Sequence, residues 1–228
     1  MLYLLLTLLL MLLIYSPQLW VRHVFKQFGD DRVELPGSGG ELAEHLIHRF
    51  KLEGVLVEQT DEGRDHFDPS GPAVRLSPSN YSGRSLKAVA IAAHEVGHAL
   101  QFHRQERIFQ LRQRYIPLAM GLRRAGELLL LALPLVAILL KAPALILATL
   151  VLSLLLQLFG ALAYLIVLPE EWDASFNKAL PILMEGEYIQ PSQVAAVRTL
   201  LKAAALTYFA SALASVVHLG RWALLLRR

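Results

Sequence analysis

The chain has 228 residues, 55% of them apolar and 18% charged, with a formal net charge of +3 and no cysteine. Soluble domains carry about a quarter charged residues, so a shortfall concentrated in nearly charge-free blocks points to lipid contact. The missing cysteines exclude disulfides and thiolate metal ligands. The basic residues border apolar runs and form no stripe with interleaved aromatics, so nucleic acid is not expected as a partner.

In chain order, residues 1–21 form the first apolar run. No basic side chain precedes its apolar core, and no small-x-small cleavage site follows Ser16-Pro17-Gln18, so an uncleaved transmembrane anchor is expected. Residues 22–117 are expected to form a lobe. There Ser38-Gly39-Gly40 opens an amphipathic helix with Leu42, Ala43, Leu46, Ile47 and Phe50 on one face and Gly54 at its close. Val55-Leu56-Val57 and Ala73-Val74-Arg75-Leu76, with turn chemistry at Asp68-Pro69-Ser70-Gly71, predict a small β hairpin. From about Ser85 a long helix follows, with Leu86, Val89, Ala90 and Ala93 at helical spacing. Residues 118–168 are expected to form a transmembrane helical hairpin, broken at Lys141-Ala142-Pro143. Its second arm, Ala144 to Leu168, has 25 residues without a formal charge, and a helix needs about 20 apolar residues to cross a bilayer. A polar segment, 169–202, leads to a last membrane helix over 203–228, whose alanines suit close packing in a bundle.

The arginines and lysines between the first and second runs, from Arg22 to Arg124, outnumber the single Lys141 at the hairpin tip. The positive-inside rule places that lobe in the cytoplasm. The expected fold is therefore mainly α: a membrane protein with about four transmembrane helices, a small α+β cytoplasmic lobe, and the lipid bilayer as a partner.

Within the long helix stands His94-Glu95-Val96-Gly97-His98. Histidines four apart project from one helical face, so both imidazoles can reach a single Zn2+ ion. Glu95, one step round the helix, is the candidate general base that takes a proton from the attacking water and delivers it to the leaving amine. A catalytic zinc needs a third protein ligand. No H-x-x-G-x-x-H extension follows His98, while Glu170-Glu171 emerges directly after the third apolar run. On spacing alone either glutamate qualifies. His45 and His48 read as the solvated face of the amphipathic helix. His66 is a candidate oxyanion donor during attack on a peptide carbonyl, with Tyr81, Arg198 and Tyr208 weaker candidates.

The stretch Ala88 to Gln101 resembles the signature of the bacterial membrane-bound neutral zinc metallopeptidases. So do Asp65-His66-Phe67-Asp68-Pro69, Arg75-Leu76-Ser77, Leu168 to Ser175 and Ala203 to Tyr208, in the same order along the chain. The resemblance implies a zinc-dependent metallopeptidase in the bacterial inner membrane, multi-pass, with its site facing the cytoplasm and peptide or membrane-protein substrates. It implies His94, His98 and Glu171 as zinc ligands, the last from a Glu-aromatic-x-Ala segment, with Glu170 the fallback. In distantly related membrane peptidases an aspartate follows that alanine; here Ser175 stands in its place, and Asp173 is the candidate to replace it. A catalytically weak membrane scaffold that retains a zinc site, or a zinc hydrolase of non-peptide amides, would carry the same motif.

Overall fold

The computed structural model describes residues 2–31, 35–207 and 210. It divides into two compact units: residues 19–110 with 169–207, and residues 1–18 with 111–168 and 208–228.

The first unit carries the site. Helix α1 (Leu2–Gln27) ends in it, with Val21 and Val24 in its core. Helix α2 (Gly39–Arg49) starts at a capping box: the Ser38 hydroxyl accepts from the Glu41 amide at 3.2 Å, and the Glu41 carboxylate accepts from the Ser38 amide at 2.7 Å. Its apolar face buries Leu42, Ala43 and Leu46. The chain leaves α-helical geometry well before Gly54, at Lys51 with φ 53°.

Three strands follow: β1 (Leu56–Gln59), β2 (His66–Asp68) and β3 (Ala73–Leu76), in the order β1-β3-β2. The expected hairpin between the Val55–Val57 region and β3 is not formed. Those two strands pair in parallel, and β2 takes the antiparallel place beside β3. The cause is local: the Asp68 to Gly71 turn, tightened by the Ser70 amide donating to Asp68 at 2.8 Å, reverses the chain straight from β2 into β3. Arg75 on β3 then reaches outward both ways, to Glu58 on β1 at 2.9 Å and to Asp68 on β2. Beyond β3, Asp65 accepts from the Ser77 amide at 2.6 Å and from the Asn80 side chain at 2.8 Å. These bonds hold the short helix α3 (Pro78–Tyr81) against the loop before β2.

Helix α4 (Leu86–His103), capped by the Ser85 hydroxyl accepting from the Ala88 amide at 3.0 Å, is buried from Ala88 to Gln101. Small residues explain how this helix sits in the middle of the unit. At Gly39 a β-carbon would fall 2.8 Å from the Ala88 carbonyl oxygen, so α2 approaches α4 backbone to backbone. Then come α7 (Leu168–Trp172), a π-helical turn (Asp173–Ala179), α8 (Leu180–Glu185) and a helix over 194–207, α9. Leu183, Val197, Leu200 and Leu201 from this half join Leu46, Val74 and Val96 in one core.

The second unit contains most of α5 (Arg107–Leu140) and all of α6 (Pro143–Leu162). These helices meet where Gly126 leaves room for Gln157, and the Ser153 hydroxyl donates to the Gly126 carbonyl at 2.7 Å. Leu128, Leu131, Leu135, Ile138, Leu147 and Phe159 are exposed on them.

Four transmembrane helices are not supported. Among the described residues one segment, Pro143–Gly160, is long and apolar enough to cross a bilayer by length and composition. The second run fails because it is only the end of α5, a 34-residue helix that carries Arg107, Arg112, Arg114, Arg123, Arg124 and Glu127 before its charge-free part begins. That part, 128–140, spans about 20 Å at 1.5 Å per residue, against a hydrocarbon core of about 30 Å. The first run begins α1, and the side chains of its first residues lie outside the described ones. The fourth run lies almost wholly outside the described residues beyond Thr207. Among the described residues the architecture is mainly helical, with a three-stranded sheet and one apolar helix of spanning length.

Candidate metal centre

His94 and His98 lie one turn apart on α4, and α7 carries Glu171 to the same point. The three ligand atoms close a near-equilateral triangle: 3.3 Å between the two Nε2 atoms, 3.2 Å from His94 Nε2 to Glu171 Oε2, and 3.3 Å from His98 Nε2 to the same oxygen. Donors about 2.0–2.1 Å from one tetrahedral ion are separated by about 3.3 Å, so the triangle has the dimensions of one face of a zinc tetrahedron. All three residues are buried.

The outer ring nitrogens are committed elsewhere. His94 Nδ1–H donates to the Ser175 hydroxyl at 3.0 Å, which itself donates to the Leu201 carbonyl at 3.1 Å. His98 Nδ1–H donates to the Gln101 side-chain oxygen at 2.9 Å. Both imidazoles are thereby held in the tautomer that leaves a lone pair on Nε2, the arrangement a metal ligand needs. Spacing did not single out Gln101, although it follows His98 by three residues and so shares its helical face. Ser175, which stands where related peptidases have an aspartate, accepts the His94 hydrogen bond itself. Asp173 contacts neither histidine in that way; it accepts from the Gln101 amide at 2.8 Å.

Electrostatically the site calls for a cation. Glu95, Glu170 and Glu171 are all buried beside the two imidazoles. Burial pushes the Glu95 carboxyl up, His94 and His98 draw it down, and Glu171 and Asp65 raise it further. Burial alone would lower the His98 imidazole, but Glu171, with Glu95 and Glu170 behind it, pushes it up to about 9. Burial would likewise raise Glu171, yet the two histidines drive it far below the ordinary carboxylate range. Three buried carboxyl groups around two imidazoles are stable together when positive charge sits among them, and a divalent ion at the triangle would supply it. The donor set fits zinc. Glu170 differs from Glu171 in place: its Oε1 lies 3.6 Å from His98 Nδ1, on the outer side of the ring.

His66 stands on β2 with its Nδ1–H donating to the Arg64 carbonyl at 2.7 Å, so its Nε2 becomes a donor only in the imidazolium form. Tyr81 is half-buried, with its ring over Gly40, and Arg198, His45 and His48 are exposed. Tyr208 lies outside the described residues.

One glycine sets the distance between the two halves of the site. A β-carbon at Gly97 would meet the Ala174 carbonyl oxygen at 2.8 Å and its Cα at 3.3 Å. Both are backbone atoms, and neither can step aside alone. Gly97→Ala is therefore expected to cost about 1–3 kcal/mol of stability by overpacking. It is also expected to weaken zinc binding about tenfold, as disturbed ligand support does. A chelator competition titration beside a thermal melt checks both.

No solved structure matches the chain. A "Putative membrane protease YugP" of Bacillus subtilis (strain 168) is 33% identical over 228 residues, covering 99% of this chain and 96% of the relative. Residues 3–227 match a family described as "Putative neutral zinc metallopeptidase". A match over almost every residue, in a chain whose buried histidines and glutamate close a zinc-sized triangle, makes this protein a member of that zinc metallopeptidase family.

Proposed function

We propose that the chain is a zinc-dependent peptidase that hydrolyses peptide bonds of protein substrates at the cytoplasmic face of the bacterial inner membrane. The observation that carries this reading is the triangle of His94, His98 and Glu171 with both outer ring nitrogens engaged. Zinc, when bound, supplies Lewis acidity toward the substrate carbonyl and lowers the pKa of a water. His94, His98 and Glu171 would hold it. Glu95, buried and next to the two histidines, takes the proton of the attacking water and passes it to the departing amine. Burial suits that task, because it disfavours the charged carboxylate and so favours uptake of the proton. His66 in its imidazolium form donates to the oxyanion, and the exposed edges of the three-stranded sheet offer backbone groups to an extended substrate.

Support for the location comes from the relative named as a membrane protease, from the Pro143–Gly160 helix, and from the arginines that crowd the sequence before it. The test uses the full-length protein in lipid nanodiscs with peptides drawn from membrane proteins, beside small amides. We expect peptide products that disappear on chelation and return with added zinc, and no turnover of the small amides. Peptide hydrolysis that persists after the metal is stripped removes the reading, and turnover confined to the small amides transfers it to a different hydrolase class.

A further inference from the structure

A buried cation remains without a task in that mechanism. Lys178 is 7% exposed, and its ammonium donates to Glu106 at 2.9 Å and to Asp173. Asp173 and Lys178 are five residues apart within the π turn. On an α-helix such residues point about 140° apart, whereas the i to i+5 repeat of a π-helix sets them on one face. The widened turn is thus what lets this ion pair form. Asn177 braces it by donating to the other Asp173 oxygen at 2.8 Å.

The pair in turn faces Gln101, which is fully buried. The Gln101 amide nitrogen donates to Asp173 at 2.8 Å and to the Glu170 carbonyl at 3.0 Å, so both its hydrogens are committed. An amide flip would turn an oxygen toward two acceptors and an NH2 toward the His98 Nδ1–H. The side-chain oxygen is therefore fixed on His98. The Asp173 carboxylate, together with the Glu170 carbonyl, decides the orientation.

We propose that Asp173, held in place by Lys178, is a positioning residue that sets the affinity of the metal centre by locking Gln101 and, through it, the His98 tautomer. This rests on the reading of His94, His98 and Glu171 as a zinc site. It predicts a specific coupling: Asp173 influences the metal only through Gln101, so its effect disappears once Gln101 can no longer pass it on.

The experiment is a double-mutant cycle on the full-length protein, read by zinc competition against a chromophoric chelator and by the visible spectrum of the cobalt-substituted form. Gln101→Met keeps the length and shape of the side chain and removes the acceptor. It is expected to weaken zinc binding about 10–100-fold and to shift the cobalt bands. Asp173→Ala is expected to weaken binding by about tenfold alone and by nothing more in the Gln101→Met background. Losses that multiply in the double variant, or an unchanged affinity in Gln101→Met, overturn the proposal. If Asp173→Ala does not fold, Asp173→Asn replaces it and removes the ion pair while keeping the shape. A fall in affinity in the wild-type background alone supports the coupling, and a fall in both backgrounds overturns it. Wild-type protein that takes up no stoichiometric zinc refutes the metal site itself, a result distinct from a zinc-loaded wild type matched by Gln101→Met.

Discussion

Glu95→Gln is expected to keep its zinc and to hydrolyse peptides about 10²–10⁴-fold more slowly, the range that a positioned general base contributes. The separation of the two readouts follows from the geometry. The triangle is built from His94, His98 and Glu171, and none of its three ligand atoms belongs to Glu95. The substitution is nearly isosteric, so α4 keeps its packing. It also removes one of the acidic groups that press on His98, which leaves Nε2 available to the metal. An amide, however, cannot take the proton of an attacking water. Metal content by elemental analysis, beside single-turnover cleavage of a fluorogenic peptide, measures both at once. Normal turnover in the metal-loaded variant would dismiss Glu95 as the base.

Glu171→Ala has the opposite signature: both metal and turnover go. Its carboxylate is buried and lies within 3.3 Å of both imidazole nitrogens, so removal takes away one of three donors and the anion nearest the ion. Deleting one member of a buried charge pair costs about 3–5 kcal/mol, which corresponds to a loss of binding of about 10²–10⁴-fold. Glu170→Ala is the paired control. Glu170 approaches His98 from the Nδ1 side at 3.6 Å and contributes no atom to the triangle. It is expected to retain near-stoichiometric zinc. If the two variants exchange these outcomes, Glu170 is the ligand.

What could be read from the sequence depended on the distance over which each feature is determined. The H-E-x-x-H spacing is a property of a single helix, and four residues of rise and twist put both imidazoles on one face, where their Nε2 atoms lie 3.3 Å apart. The Ser38 and Ser85 helix starts are equally local, each a side chain closing on an amide three residues ahead. Glu171 lies 73 residues beyond His98, and spacing could not separate it from Glu170; only the resemblance did. The strand order failed for a related reason. Residues 55–57 and 73–76 both read as strands, but how they pair is settled by β2, a three-residue strand too short to show periodicity. Hydropathy overcounted the membrane helices because it scored the apolar end of α5 as a separate segment, while the structure continues the same helix back through its arginines. Ser175 stands where related peptidases carry an aspartate, and the sequence points to Asp173 as the replacement, because a serine offers no carboxylate to a histidine. A hydroxyl with an acceptor of its own, the Leu201 carbonyl, fills that position.

The unit that bears the site is drawn from two stretches of chain, 19–110 and 169–207, with a long insertion between them. During synthesis the histidines leave the ribosome first, and the carboxylate that completes their set follows only after the whole insertion has been made. A polypeptide halted anywhere before Glu171 has two imidazoles and no third arm for the ion. On this account the three-donor set can close only after both stretches have been made, so its assembly waits on the synthesis of the insertion.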